Sequence, residues 1–264
     1  MKITVAIPVG PFPANKQWLP ECLASVAAQT RQADEVLLID DMAGLGMTDL
    51  KPLRIDGDRC TEGPAFMGHS GSLCVTHLER VAADRDEESA GTWWRTFARI
   101  WRSPWRLGVG AAFNAGVGLA FGDCVFMLGS DDTLEPQCLA MCEEEFHAMR
   151  GADAYYYVDL RYSDGRPDQS VPCNAAMVTK GFWRKSGGFA PESGSGAPDA
   201  ALISAMMVND PDSLVRVQSP SPLYVYRVHE GTDTAGRERW QGIILETRDI
   251  LTETWTAPKW GRVV

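Results

Sequence analysis

The sequence predicts a single α/β domain with a mostly parallel central sheet and flanking helices. Three observations carry that prediction. Short β-branched runs at residues 3–7, 35–39 and 124–128 have the continuous apolar character of strands buried on both faces. A segment with helical spacing separates the first two. Carboxylates stand just after the strand ends, at Asp40-Asp41 and Asp131-Asp132. Ligands of open α/β sheets bind beyond those carboxyl ends.

Taken in order, Ile3-Thr4-Val5-Ala6-Ile7 is closed by Pro8 and Gly10 as a first strand. Leu19, Cys22, Leu23 and Val26 then recur at helical spacing, with Pro20 suited to a first helical turn. Glu35-Val36-Leu37-Leu38-Ile39 reads as the second strand, completing a βαβ unit that requires parallel strands and a right-handed crossover. Residues 119–122 end a further helix. Cys124-Val125-Phe126-Met127-Leu128 is the next buried strand, and residues 134–149 form a helix after it. Tyr155-Tyr156-Tyr157-Val158-Asp159 and residues 223–228 are later strands. An insertion is expected at about residues 58–106, with a helix whose aromatic face is Trp94, Phe97 and Trp101 and whose arginines 95, 99, 102 and 106 surround it.

The 264 residues suffice for one large core without disulfide or structural metal. Apolar residues form 45% of the chain and charged residues 23%, as in an ordinary soluble domain. Seven scattered cysteines without a C-x-x-C pair read as thiols in a reducing compartment. No apolar run approaches the roughly 18 residues of a membrane span, and the apolar start is too short for a signal peptide. A cytoplasmic protein with no transmembrane segment is expected. The net charge of −10 disfavours generic binding to polyanions. Neither G-x-G-x-x-G after the first strand nor G-x-x-x-x-G-K-[ST] occurs, which excludes a dinucleotide-dependent dehydrogenase and a P-loop enzyme.

Four features follow one another along the chain. Val5-Ala6-Ile7-Pro8 leads through Ser25-Val26 and Gln29-Thr30 to Asp40-Asp41. Gly108-Val109-Gly110 leads to Asn114-Ala115-Gly116. Leu128-Gly129-Ser130-Asp131-Asp132 comes next, and Gly187-Gly188-Phe189, Pro198-Asp199 and Arg227-Val228-His229 close the series. This order resembles the family 2 inverting glycosyltransferases, whose motifs run P-x-y, S-V-x-x-Q-T, D-D, N-x-G, D-x-D-D, G-G-F, E-D and R-x-H. The resemblance covers residues 2–41 and 107 to about 230. It implies a GT-A fold (Rossmann-like), a nucleotide-sugar donor with UDP-sugar favoured, and a divalent Mn²⁺ or Mg²⁺. The acceptor stays open among glycan, protein, lipid and modified nucleic acid.

The resemblance also implies roles. Pro8, Asp40, Asp41, Gly110, Asn114, Asp131 and Asp132 would line the nucleotide-sugar site, Asp131 and His229 would hold the metal, and Asp199 would be the catalytic base. The chemistry agrees with them. A departing diphosphate accumulates charge that a cation on hard oxygen ligands offsets. Attack by an acceptor hydroxyl needs a proton acceptor opposite the leaving group, which inverts the anomeric centre. Each assignment has a plainer alternative. Asp41, Asp132 and Asp199 could be helix caps, and the glycines around Asn114 could serve helix–strand packing alone. Trp94 and Trp101 would form an acceptor platform, a membrane contact or simply core. Gly129 stands for the first D-x-D aspartate, Phe113 for an arginine, Met42-Ala43 for Gly-Ser and Pro198 for the E-D glutamate. A non-catalytic nucleotide-sugar or glycan-binding protein on the same fold is therefore the rival reading.

Overall fold

The computed structural model describes residues 1–45, 53–55, 78–83, 97–189 and 198–229. Strand β1 (Ile3–Val9) is followed by helix α1 (Pro13–Ala27) and strand β2 (Glu35–Asp40). A hairpin of β3 (Leu53–Ile55) and β4 (Leu78–Ala83) precedes β5 (Phe97–Arg102) and helix α2 (Val109–Leu119). Next come β6 (Cys124–Met127), β7 (Thr133–Leu134), α3 (Cys138–Ala148), β8 (Tyr155–Tyr157) and β9 (Leu160–Tyr162). Strand β10 (Ala176–Thr179), helices α4 (Lys180–Ser186) and α5 (Pro198–Asn209), and strands β11 (Leu214–Arg216) and β12 (Tyr224–Tyr226) complete the described chain.

Nine strands form one sheet in the order β11-β8-β10-β6-β1-β2-β5-β4-β3. Its centre, β6-β1-β2-β5, is parallel, while β10 and β4 pair antiparallel on either side. A small second sheet sets β12 between β7 and β9. The expected mixed α/β fold with a parallel core is thus present.

Strand alternation splits the core into two layers. Ile3, Val5, Ile7 and Val9 of β1 pack with Leu19, Cys22, Leu23 and Val26 of α1, and with Leu139 and Cys142 of α3. Ala6 faces the other way, with Leu37, Ile39, Ala112, Phe113 and Val117. Residue 6 is small for a reason: a Cβ on Gly116 of α2 would lie 2.9 Å from the Ala6 Cβ. Gly116 therefore lets the helix approach β1, the packing role that was the plainer of its two readings.

Two expectations about elements are corrected. Helix α1 begins at Pro13, which occupies the first turn, and Pro20 sits inside the helix. Residues 97–102 are not helical: they form β5, parallel to β2 from Glu35↔Phe97 to Asp40↔Arg102. Trp101 is 1% exposed in the core layer shared with α2, so it cannot serve as an acceptor platform. Trp94 lies outside the described residues. Of the arginines expected around the aromatic face, Arg99 pairs with fully buried Glu35, and Arg102 and Arg106 pair with Asp40 and Asp41. Five cysteines are free thiols, and Cys60 and Cys74 lie outside the described residues.

Candidate active site

The candidate residues collect at one edge of the sheet because of strand direction. The carboxyl ends of β1, β2, β5 and β6 share that edge. Strand β10 runs antiparallel to β6, with Ala176 opposite Met127, so the residues just before β10 arrive there as well. Pro8 is buried in β1 and pairs only toward β2, opposite Ile39, because the β6 ladder stops at Ala6. A proline, which has no N–H to donate, is tolerated where one neighbour is missing.

The corner after β6 is the most densely bonded part of the site. The Asp131 carboxylate lies 2.9 Å from Nε2 of His229. Asp132 turns inward, where it accepts from the Tyr224 hydroxyl (2.5 Å) and from the Arg227 backbone N–H (2.7 Å). Burial, and then the charge of Asp131, push the Asp132 carboxyl well up from its ordinary value. The Tyr224 hydroxyl also accepts from the Gly129 N–H (3.1 Å). The Arg227 guanidinium donates to the Asp131 carbonyl (2.8 Å), pairs with Glu21 (2.6 Å) and lies 4.0 Å over the Trp18 ring. Asp132 thereby positions the corner through Tyr224 and Arg227. Tyr224, Trp18 and Glu21 were missed by sequence reasoning. Arg227 was seen only as part of R-x-H, and its neighbours lie 95 or more residues away in sequence.

The same corner explains the missing first aspartate. A Cβ on Gly129 would fall 2.5 Å from the Asp132 carboxylate oxygen and 3.1 Å from that of Asp131. Gly129→Asp is therefore expected to destabilise the protein by about 1–3 kcal/mol, the usual cost of overpacking, rather than to strengthen metal binding. The denaturant midpoint checks it: an unchanged midpoint with tighter Mn²⁺ binding would refute the account.

At the end of β2 the paired aspartates are already engaged. Asp40 accepts from the N–H groups of Gly44 and Leu45 (both 3.0 Å) and pairs with Arg102 (2.6 Å). Asp41 accepts from the N–H groups of Leu107 (2.5 Å) and Gly108 (3.0 Å) and pairs with Arg106 (2.9 Å). Both are buried, 3% and 2% exposed, with three donors each. Asp41 thus fastens the loop entering α2, where Gly108 holds a positive φ of 78°. Both aspartates thus shape the loops that follow β2 and precede α2.

Asn114 is likewise engaged. Its amide donates to the Phe189 carbonyl (2.6 Å) and accepts from the Phe189 N–H (2.9 Å), a two-way bond between α2 and the G-G-F segment. Gly188, at φ +72°, has room for no Cβ, which would lie 2.6 Å from the Asn114 oxygen. Asn114 therefore positions that segment, and the donor contact expected of it would use its second amide N–H. Gly110 is buried in the first turn of α2.

Asp199 lies in the first turn of α5 and accepts from the Asn174 N–H (3.1 Å), two residues before β10. That bond brings it to the same edge as the Asp131 corner. Burial raises its carboxyl above the ordinary 3.8, and three backbone N–H bonds, from Ala200, Asn174 and its own residue, offset part of the rise. A half-buried carboxylate with an elevated pKa is suited to accept a proton.

Residues 85–190 match the family model described as Glycosyl transferase family 2. The chain thus resembles the family 2 glycosyltransferases in sequence as well as in motif order. The match takes in β5 and extends to the G-G-F segment. No sequence among curated proteins matches. Among solved structures, Staphylococcus aureus TarS 1–349 in complex with UDP superposes with a TM-score of 0.62 at 13% identity, covering 95% of this chain and 65% of that one. The same protein with UDP-GlcNAc gives 0.62 at 13%, covering 94% and 66%. The Pyrobaculum calidifontis mannosyltransferase PcManGT in complex with GDP-Man and Mn²⁺ gives 0.54 at 15%, covering 97% and 66%. This chain spans 40% of the longer TarS chain. At such identities the superpositions establish the GT-A fold. No described helix is long and apolar enough to cross a membrane.

Proposed function

We propose that this protein transfers a sugar from a nucleoside-diphosphate donor to an acceptor hydroxyl with inversion. The observation that carries the reading is the Asp131–His229 pair, 2.9 Å apart beyond the carboxyl end of β6, with Asp131 inside the family 2 sequence match. TarS is solved in complex with UDP and UDP-GlcNAc and PcManGT with GDP-Man, which supports a nucleotide-sugar donor without favouring UDP.

A divalent cation fits the corner in part. Asp131 offers a hard oxygen and His229 an imidazole nitrogen, while Asp132 is held back by Tyr224 and Arg227. No cluster of three or more candidate ligands occurs among the described residues. Two protein ligands suit Mg²⁺ or Mn²⁺, which keep waters and take substrate phosphates as further ligands. When bound there, the ion would offset charge on the departing diphosphate. The Arg227 bond to the Asp131 carbonyl fixes the turn that presents the carboxylate. Asp199 would take the proton of the acceptor hydroxyl as its oxygen bonds the anomeric carbon and the carbon–diphosphate bond breaks. The acceptor itself would be a glycan, protein, lipid or modified nucleic acid. The insertion expected at about residues 58–106 would lie between β2 and α2, with β5 inside those bounds joining the central sheet.

The rival, a binding protein without turnover, draws on Gly129 and Pro198. Slow hydrolysis of a donor panel of UDP-, GDP-, CDP- and dTDP-sugars with Mn²⁺ separates the two, since a binding protein releases no sugar. His229→Ala is expected to weaken nucleoside-diphosphate binding about 10-fold or more in Mn²⁺ and little in EDTA, as loss of a metal contact would. Isothermal titration checks it, and equal losses in both conditions would make His229 structural.

A further inference from the structure

Helix α1 grips the stretch that carries Asp131 from one face. Cys22, Ser25 and Gln29 recur at three- and four-residue spacing along α1 and just past its end, which places them on one side of the helix. The Cys22 thiol donates to the Gly129 carbonyl (3.4 Å), and the Ser25 hydroxyl accepts from the Leu134 N–H (3.1 Å). The Gln29 amide donates to the Glu135 carbonyl (2.8 Å) and accepts from the Leu139 N–H (3.0 Å). These bonds fasten the chain on both sides of Asp131, and none of them reaches Asp131 itself.

The main chain of Asp131 is held through Arg227 instead. Trp18 precedes Cys22 by four residues and so continues the same face of α1. The Arg227 guanidinium lies 4.0 Å over the Trp18 ring, donates from Nε to the Asp131 carbonyl (2.8 Å) and pairs through Nη2 with Glu21 (2.6 Å). A guanidinium offers a planar face for stacking and a rigid fork for donation. Here the indole takes the face and two oxygens take the fork, which fixes both the tilt and the position of the group. Core packing does not account for the arrangement: Trp18 is only half-buried, and the Glu21 side chain is 56% exposed.

We propose that Trp18 is a positioning residue, seating the Arg227 guanidinium against the Asp131 carbonyl so that helix α1 sets where the Asp131 carboxylate stands toward His229 and the donor. The proposal rests on the reading of a nucleoside-diphosphate donor. The carbonyl and the carboxylate belong to one residue, so a main chain free to turn at Asp131 would carry the carboxylate away from Nε2 of His229. Groups that hold a metal ligand in place typically matter 10- to 100-fold in affinity, at about this remove from the ion.

Titration of the full chain with UDP and with GDP, each in Mn²⁺ and in EDTA, tests this. Trp18→Leu keeps apolar bulk but has no π-face, and it is expected to weaken binding about 10-fold or more in Mn²⁺ and little in EDTA. Trp18→Phe restores a ring beneath the guanidinium and should stay within about threefold of the wild type. Both variants should keep a cooperative denaturant transition, because leucine and phenylalanine still fill a half-buried position. Arg227→Lys keeps the charge without the flat face or the fork, and adding Trp18→Leu to it should cost less than about twofold more, as expected when one residue acts through the other. Loss of the transition in Trp18→Leu, equal losses in Mn²⁺ and EDTA, equal affinities of the leucine and phenylalanine variants, or full additivity with Arg227→Lys would each overturn the proposal and make Trp18 a packing residue. If neither nucleotide binds the wild type in Mn²⁺, the glycosyl-transfer reading falls with it; binding to the wild type together with any of those four results removes the role of Trp18 alone.

Discussion

Asp199→Asn is expected to lower sugar transfer by about 10² or more while leaving donor binding intact, because asparagine keeps the acceptor for the Asn174 N–H but cannot take a proton. Stability supplies an independent readout. Burial raises the Asp199 carboxyl above its ordinary 3.8, so the folded chain binds this proton more tightly than the unfolded chain does. The resulting destabilisation grows as pH rises from 3.8 through the folded value and is complete above it. Asparagine removes it, so the variant should melt no lower than wild type at neutral pH. The same shift places the acid limb of the wild-type kcat/KM profile above 3.8 and abolishes that limb in the variant. A near-normal rate, or a product that retains the donor's anomeric configuration, would refute the base and the inverting mechanism together.

Asp131→Asn should reduce Mn²⁺-dependent nucleotide binding by about 100-fold or more, since loss of a ligand costs at least as much as loss of a supporting partner. The fold should survive: the main-chain carbonyl that receives Arg227 is unchanged, and an amide still fits beside His229. Binding measured in Mn²⁺ and in EDTA should converge in the variant. Retention of the wild-type difference between the two conditions would remove Asp131 from the metal corner.

The parallel core was legible because β1, β2 and β6 announce themselves as short apolar runs and α1 by its apolar spacing. Motif order located the carboxylates as well. What failed was residues 97–101, where aromatics at i, i+3 and i+7 from Trp94 satisfied a helical template although Phe, Ile and Trp equally favour strand. No local pattern reveals that Arg99, Arg102 and Arg106 each meet a buried carboxylate on or just after β2, since strand pairing makes those contacts across more than 60 residues. For the same reason Asp40, Asp41 and Asn114 looked like ligand contacts. Their residue types suit that task, and only their partners show that the backbone uses them first.

The Asp131 corner also sets a condition on when the protein can work. Asp131 and His229 are 98 residues apart, and Asp132 is satisfied only by Tyr224 and Arg227. A nascent or proteolysed chain ending before residue 224 would hold all four central strands and every helix described here, yet leave a buried carboxyl without its donors. At about 5–20 residues per second, synthesis from Asp132 to His229 takes on the order of 5–20 s. Through that interval the sheet can assemble while the Asp131 corner cannot, so on the proposed function competence to bind a charged donor would arrive after the sheet, as β12 docks.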